Sequence, residues 1–446
     1  MIALLSIFLL VVLSAMLFLK LSRPFSPVFL FSLFFLVGVL FRWWYLLYVG
    51  EGGLVDVVVE GHERDVLLEQ GVIHLSFALL AIFLGYLVFG VKRFSFGFST
   101  RLFVLLPRAR SQALLLAGGV WVASCLFFYI GAYDVGLMQF VTDLQGRAIG
   151  VMRGRGYLSI LVDFTVVASV ALYAYSVIYS RSIVIDLFVI ATIILVMVGL
   201  MLLGGRGMLV QYLLSLLLVR LLGRGHDGKS LEASVRQWSY AIVLGVFSSI
   251  AIVVGLAARV AAQQGLEMAA VLEDQVESVV RALTSTIPIL DSYVISMLFV
   301  ARHGHDYGSH FLDYFTRFIP RAWWAEKPDL LGIQIRESFW GDTVTGIPPT
   351  YFGEFYISWG LIGVLIAGFV FGGMLRYAYK VERTILNNPG LLTAYAVLLP
   401  LVLFTLIRSG LEVAYMRILI YLVLIVMLNF LGFGGSRVTM VHHGRG

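Results

Sequence analysis

The chain has 446 residues, of which 60% are hydrophobic and 13% charged. A soluble domain carries about a quarter charged residues, so this composition excludes one and predicts an all-α, polytopic integral membrane protein. The net charge of +6 is explained by Lys and Arg in cytoplasmic loops, and with no soluble domain to hold it, a nucleic-acid partner is excluded.

A span of the bilayer takes about 20 apolar residues. Runs of that kind fall at 2–19, 27–49, 72–90, 113–133, 157–179, 183–203, 207–222, 238–260, 352–375, 391–408 and 414–433, about eleven transmembrane helices in all. The first run lacks a basic start and an Ala-x-Ala-like end and is read as a retained helix. Cys125, the single cysteine, lies inside the fourth run, which leaves no internal disulfide and no thiolate metal site.

Basic residues recur on alternate sides of consecutive runs: Lys20 and Arg23, Lys92 to Arg110, Arg181, Arg220 to Arg236, and Arg376 to Arg383. Placing that side in the cytoplasm puts the N-terminus outside and the C-terminal tail inside. The chain then divides into a transmembrane bundle over 1–262, an extracytoplasmic loop over 263–350, and a second transmembrane bundle with a cytoplasmic tail over 351–446. Within the loop, "LEMAAVLEDQVESVVRALTS" has apolar residues at helical spacing and predicts an amphipathic helix. The following "TIPILDSYVISMLFVAR" is apolar but short and carries Pro288 and Asp291, which predicts an interfacial or re-entrant helix.

Arginine is costly in the hydrocarbon region, by about 2.5–3.5 kcal/mol on insertion scales, yet several fall at external span ends. Arg147, Arg153 and Arg155 lie in "QGRAIGVMRGRGY", Arg206 in "LLGGRGML", and Arg408 and Arg417 in "LIRSGLEVAYMRI". Each could snorkel or pair locally, as Arg408 could with Glu412. Together, interleaved with glycine, they suit phosphate, whose oxygens the planar guanidinium grips bidentately. Neither "RGRG" nor "GGRG" has the ending of a nucleotide phosphate loop.

For a general base the residue singled out is Glu354, where the loop enters the ninth run in "PPTYFGEFYISWG". Partial dehydration there suits proton transfer, whereas the bland alternative is a carboxylate at a helix start. Asp163 and Asp186, inside spans, are weaker candidates. His303, His305, Asp306 and His310 in "HGHDYGSH" lack a strong zinc spacing, so no metal and no cofactor are expected.

The stretch "FIPRAWWAEKP" frames Arg321, Trp323, Trp324 and Lys327 between two prolines. Tryptophan at an interface anchors a helix end, but aromatic faces also stack on sugar rings. Arg321 and Lys327 add anion binding at the same spot.

These residues resemble the Wzy-type oligosaccharide repeat-unit polymerases. The resemblance rests on the Pro-Arg-x-x-Trp-x-x-Lys-Pro loop, matched by Pro320, Arg321, Trp324, Lys327 and Pro328, and on Gly-Glu-x-Tyr at Gly353, Glu354 and Tyr356. It covers about forty residues. Arg321 to Gly332 also fits the family's spacing of arginine, ten residues, glycine; no arginine in 147–155 does.

The resemblance implies a GT-C-like layout in the bacterial cytoplasmic (inner) membrane and a metal-independent glycosyl transfer on its outer face. Donor and acceptor would be undecaprenyl-pyrophosphate-linked oligosaccharides, with a chain-length regulator and a flippase as further partners. Glu354 would be the base. Arg321, Arg155, Arg206 and Arg408 would hold pyrophosphate, joined in the wider site by Arg147, Arg153, Arg417, Lys327, Trp323, Trp324 and Tyr356. Two alternatives stay open: an O-antigen ligase, suggested by the loop histidines, and a lipid-linked glycan flippase, against which the lack of an internal repeat counts.

Overall fold

A computed structural model describes residues 26–49, 55, 58–59, 62–90, 110–133, 157–179, 182–202, 206–223, 287–316, 319, 323–324, 326–341, 346–385 and 391–428. Among these residues the regular structure is entirely helical. Seven helices are long and apolar enough to cross a membrane, and the protein is membrane-embedded. The expected spans at 2–19 and 238–260, and the amphipathic helix over 266–285, lie outside the described residues.

The first described helix, α1 (Pro27–Phe35), starts where Ser26 Oγ accepts the Phe29 amide and Pro27 occupies the first turn. Both are favoured there, because the serine satisfies an orphan donor and proline has none to lose. A π-helical turn over Leu36–Phe41 carries the chain into α2 (Arg42–Val49). Then follow α3 (His62–Val88), α4 (Arg110–Ala132), α5 (Tyr157–Tyr179), α6 (Ile183–Leu202) and α7 (Arg206–Gly223). After the insert come α8 (Ile289–His303), α9 (Ser309–Thr316), α10 (Leu331–Trp340) and α11 (Tyr351–Ile385). The chain closes with α12 (Leu392–Pro400), a second π-helical turn (Leu401–Leu406), α13 (Ile407–Ser409) and α14 (Leu411–Leu428).

The tightest pairing is α3 against α11. Lipid tails are as apolar as leucine, so helices gain most where small residues let backbones touch. Gly368 and Gly372 of α11 form that spacing: a Cβ on Gly368 would lie 2.6 Å from the Ala78 carbonyl, and one on Gly372 would collide with the Ile82 carbonyl. Gly372→Val is therefore expected to separate the two helices and abolish the folded protein. Gly118→Val, where a Cβ meets nothing within 4 Å, should be tolerated; yield of monodisperse protein from detergent checks both.

Two features sharpen the expected layout. Of the interfacial and re-entrant alternatives, the segment over Ile289–His303 fits the second: Ile289 through Met297 are buried against α3, α11 and the first π-helical turn. Its 15 residues reach about 22 Å at 1.5 Å each, short of a bilayer, so it enters the bundle as a half-helix. What admits its carboxylate is Arg42, whose Nε and Nη2 donate to Asp291 Oδ2 and Oδ1 at 2.8 and 2.9 Å.

The span expected as continuous over 352–375 is broken at Trp359 and Gly360, the latter at φ 60. That conformation favours glycine. The Ile357 carbonyl, freed at the break, is satisfied by His305 Nδ1 at 3.1 Å and the Asp306 amide at 3.2 Å.

Candidate functional site

The end of the bundle opposite Arg376, Lys380 and Arg383 gathers the starts of α7, α11 and α14 with α9 and the end of α8. Pro400 supplies no amide to its helix, and the chain answers with the π-helical turn of Leu401–Leu406, a local distortion common at functional sites. Across from it, Gln211 of α7 donates to Thr405 Oγ1 at 2.6 Å, both buried. That bond sets the register of α7 against the segment that carries Arg408.

Arginines distant in sequence meet there. The Arg408 guanidinium lies 5.7 Å from the Phe404 ring centre and so close to Gly207 that a Cβ there would be 2.6 Å from Nη1. Arg417 places Nη2 2.9 Å from the Met208 sulfur, and its Nε is 4.0 Å from Asp163 Oδ1. Arg206 opens the same helix turn. Arg408 and Arg417 thus flank the N-terminus of α7, where backbone amides and the helix dipole already favour an anion. Asp163, a weak candidate from sequence, is the buried carboxylate that holds Arg417 in place.

Glu354 sits beside this cluster and is more dehydrated than its place at the loop's entry led one to expect. It is fully buried, and its two oxygens accept the Leu411 and Glu412 amides at 2.6 and 3.1 Å. The carboxylate also packs on the Cα of Gly410, at φ 83. It caps the N-terminus of α14, a different helix from its own. The structural alternative of a helix-start carboxylate thus describes its geometry, though the helix it serves begins 57 residues later.

The backbone under Glu354 is strained. Thr350 is β-branched at φ 69, a genuine outlier for that residue class. Its Oγ1 accepts the Gly353 amide at 3.1 Å, while Ser296 of α8 donates to the Pro349 carbonyl at 3.1 Å. Strain of this kind persists only where the surroundings over-determine it, and it fixes Glu354 beneath α14.

The loop histidines take separate roles. His303 contacts Ser338 Oγ at 2.8 Å and His305 contacts the Ile357 carbonyl. His310 is paired through Nδ1 with Asp306, which also accepts the Gly308 amide at 2.9 Å. Burial pushes the Asp306 carboxyl up, but the bonds from His310 and Gly308 outweigh it and hold it below the ordinary carboxylate range. His310 Nε2 is buried and has no hydrogen-bond partner among the described residues. No metal-sized cluster of His, Cys, Asp or Glu occurs among them either.

Other expected site residues fall elsewhere. Lys327 is buried and donates to the Ile319 carbonyl at 2.9 Å, so it braces the proline-framed loop. Trp323 is 84% exposed and Trp324 37%, available to lipid headgroups or glycan. Tyr356 stacks on His74 at 5.6 Å and meets Tyr293 edge-on at 5.5 Å, an aromatic knot between α3, α8 and α11. Arg321, Arg147, Arg153 and Arg155 lie outside the described residues, as does the side chain of Arg206. His74, whose Nδ1 is 3.1 Å from the Tyr293 hydroxyl, and the Arg42–Asp291 pair went unread in sequence. The signal for the latter was an arginine and an aspartate each stranded in an apolar run.

No family model, curated protein or solved structure matches this chain.

Proposed function

We propose that the protein is a membrane glycosyltransferase of the Wzy-type polymerase kind, joining polyprenyl-pyrophosphate-linked oligosaccharide units at the outer face of a bacterial cytoplasmic membrane. The observation that carries this reading is the meeting of Arg408 and Arg417 at the start of α7. A pyrophosphate leaving group gathers charge as the glycosidic bond breaks, and fixed cationic donors aimed at that charge lower the barrier. Asp163 faces Arg417 at 4.0 Å, and the Gln211–Thr405 bond ties α7 to the segment that carries Arg408. Glu354 is a positioning residue in this reading: it fixes the first turn of α14, and Arg417 projects from the next. The exposed Trp323 and Trp324 would offer ring faces to glycan in this reading.

The Asp306–His310 pair favours a second reading, an O-antigen ligase, in which a carboxylate-oriented imidazole takes the acceptor proton.

Both readings are tested by a gel of surface polysaccharide from a strain lacking the gene, complemented with wild type, Arg408→Ala or Arg417→Ala. A polymerase restores a ladder with wild type, and each variant cuts transfer roughly 10²–10³-fold, the usual effect of removing one charge-stabilising donor. Core bearing a single repeat unit is then the expected product. Polymer stranded on its lipid carrier beside bare core would establish the ligase, and an unchanged ladder in the deletion strain would refute both.

A further inference from the structure

A groove of about 600 Å³ opens at the other end of the bundle, between α11 and the wall formed by α12 with its π-helical turn. Val370, Met374, Leu398 and Val402 line it, and the one charged residue in its lining is Lys380. Val370 and Met374 are 45% and 38% exposed, so the groove opens at that level to whatever surrounds the bundle, and Ala378 and Lys380 beyond them are half-buried.

Its dimensions and charge select an occupant. From Val370 to Lys380 the groove follows α11 for about 15 Å at 1.5 Å per residue, half of a hydrocarbon core about 30 Å thick. It is therefore as long as one leaflet. Its polar end is basic: Lys380 donates to the Phe89 carbonyl at 3.2 Å, Arg383 to the Tyr379 hydroxyl at 2.8 Å, and Arg376 to the Tyr86 hydroxyl at 3.2 Å. The carboxylate at this level, Glu382, is buried. By the positive-inside rule that end faces the cytoplasm.

We propose that the groove binds one acyl chain of an anionic phospholipid of the cytoplasmic leaflet, with the lipid phosphate at Lys380 and Arg383. A polyprenyl chain long enough to cross the bilayer would overrun a groove one leaflet long, and a neutral lipid would leave the basic end unmatched. The site lies at the far end of α11 from Glu354 and does not depend on glycosyl transfer.

The test is native mass spectrometry of the purified full-length protein in micelles doped equally with phosphatidylglycerol and phosphatidylcholine of identical chains. Wild type is expected to retain one phosphatidylglycerol in roughly thirtyfold preference, the effect of about two basic residues at a headgroup. Lys380→Gln with Arg383→Gln brings that preference to near unity. Ala378→Phe and, from the opposite wall, Leu398→Trp fill the groove and remove the bound lipid, with size-exclusion profiles showing which variants fold. Equal retention of both lipids by wild type, or a preference unchanged in the charge variant and in either folded groove-filling variant, overturns the proposal. So does displacement of phosphatidylglycerol by an added polyprenyl phosphate.

Discussion

Asp291→Ala is expected to cost about 3–5 kcal/mol of stability, the usual result of removing one partner from a buried ion pair. Arg42 is 2% exposed and Asp291 not at all, and two parallel bonds join them. Loss of the carboxylate leaves the buried guanidinium without its paired counter-charge, with the Tyr45 ring 5.4 Å away. Arg42→Ala removes the counter-charge of the buried carboxylate in the same way. The double substitution Arg42→Met with Asp291→Leu removes both charges and should recover most of the loss, because an apolar pair avoids the desolvation cost of both ions. Thermal unfolding in detergent reads the three variants. If the double variant is as unstable as the singles, shape at this contact outweighs charge.

This pair also marks where the sequence stopped being legible. Hydropathy placed the helices: each apolar run among the described residues became one, seven of them long and apolar enough to cross a membrane, and the ends of 157–179 coincide with those of Tyr157–Tyr179. It could not choose between an interfacial and a re-entrant α8, because an isolated Asp291 in a short apolar run gives a reason to stay at the surface. Only the partner 249 residues away makes burial tolerable, and partnership across such a distance leaves no mark in local composition. The break at Trp359–Gly360 was hidden for a related reason: glycine is frequent in membrane helices as a packing residue. Nothing local separates Gly360, at φ 60, from Gly368 or Gly372, which are helical and touch α3.

The arginines were legible as a class and not as an arrangement. Their cost in lipid announces that each needs a partner. That Arg417 would find Asp163 follows from the packing of α14 on α5, and that Arg408 would find the surface of Gly207 follows from the docking of α7 on the π-helical turn. Lys327 shows the converse, a cation chosen for anion binding that the fold uses to tie a loop.

Glu354 separates a positioning role from a catalytic one. As the cap of α14 it satisfies two buried amides, so Glu354→Ala should cost about 1–3 kcal/mol for unsatisfied donors, with lost packing on top. Gly410→Ala should act on the same contact from the other side. Its φ of 83 with ψ 178 costs a residue with a Cβ about 1–3 kcal/mol, and that Cβ would collide with the Glu354 carboxylate. Both variants are therefore expected to lower the unfolding temperature and to lose glycan transfer together, through displacement of the Arg417 turn. Glu354→Gln sharpens the distinction. Its amide group would oppose the Leu411 or Glu412 amide, so a cap predicts instability close to that of alanine, read by the same unfolding scan. A Glu354→Gln protein as stable as wild type yet inactive in transfer would instead return Glu354 to the chemistry, and the buried carboxylate would have to reach substrate by a movement of α14 away from Gly410.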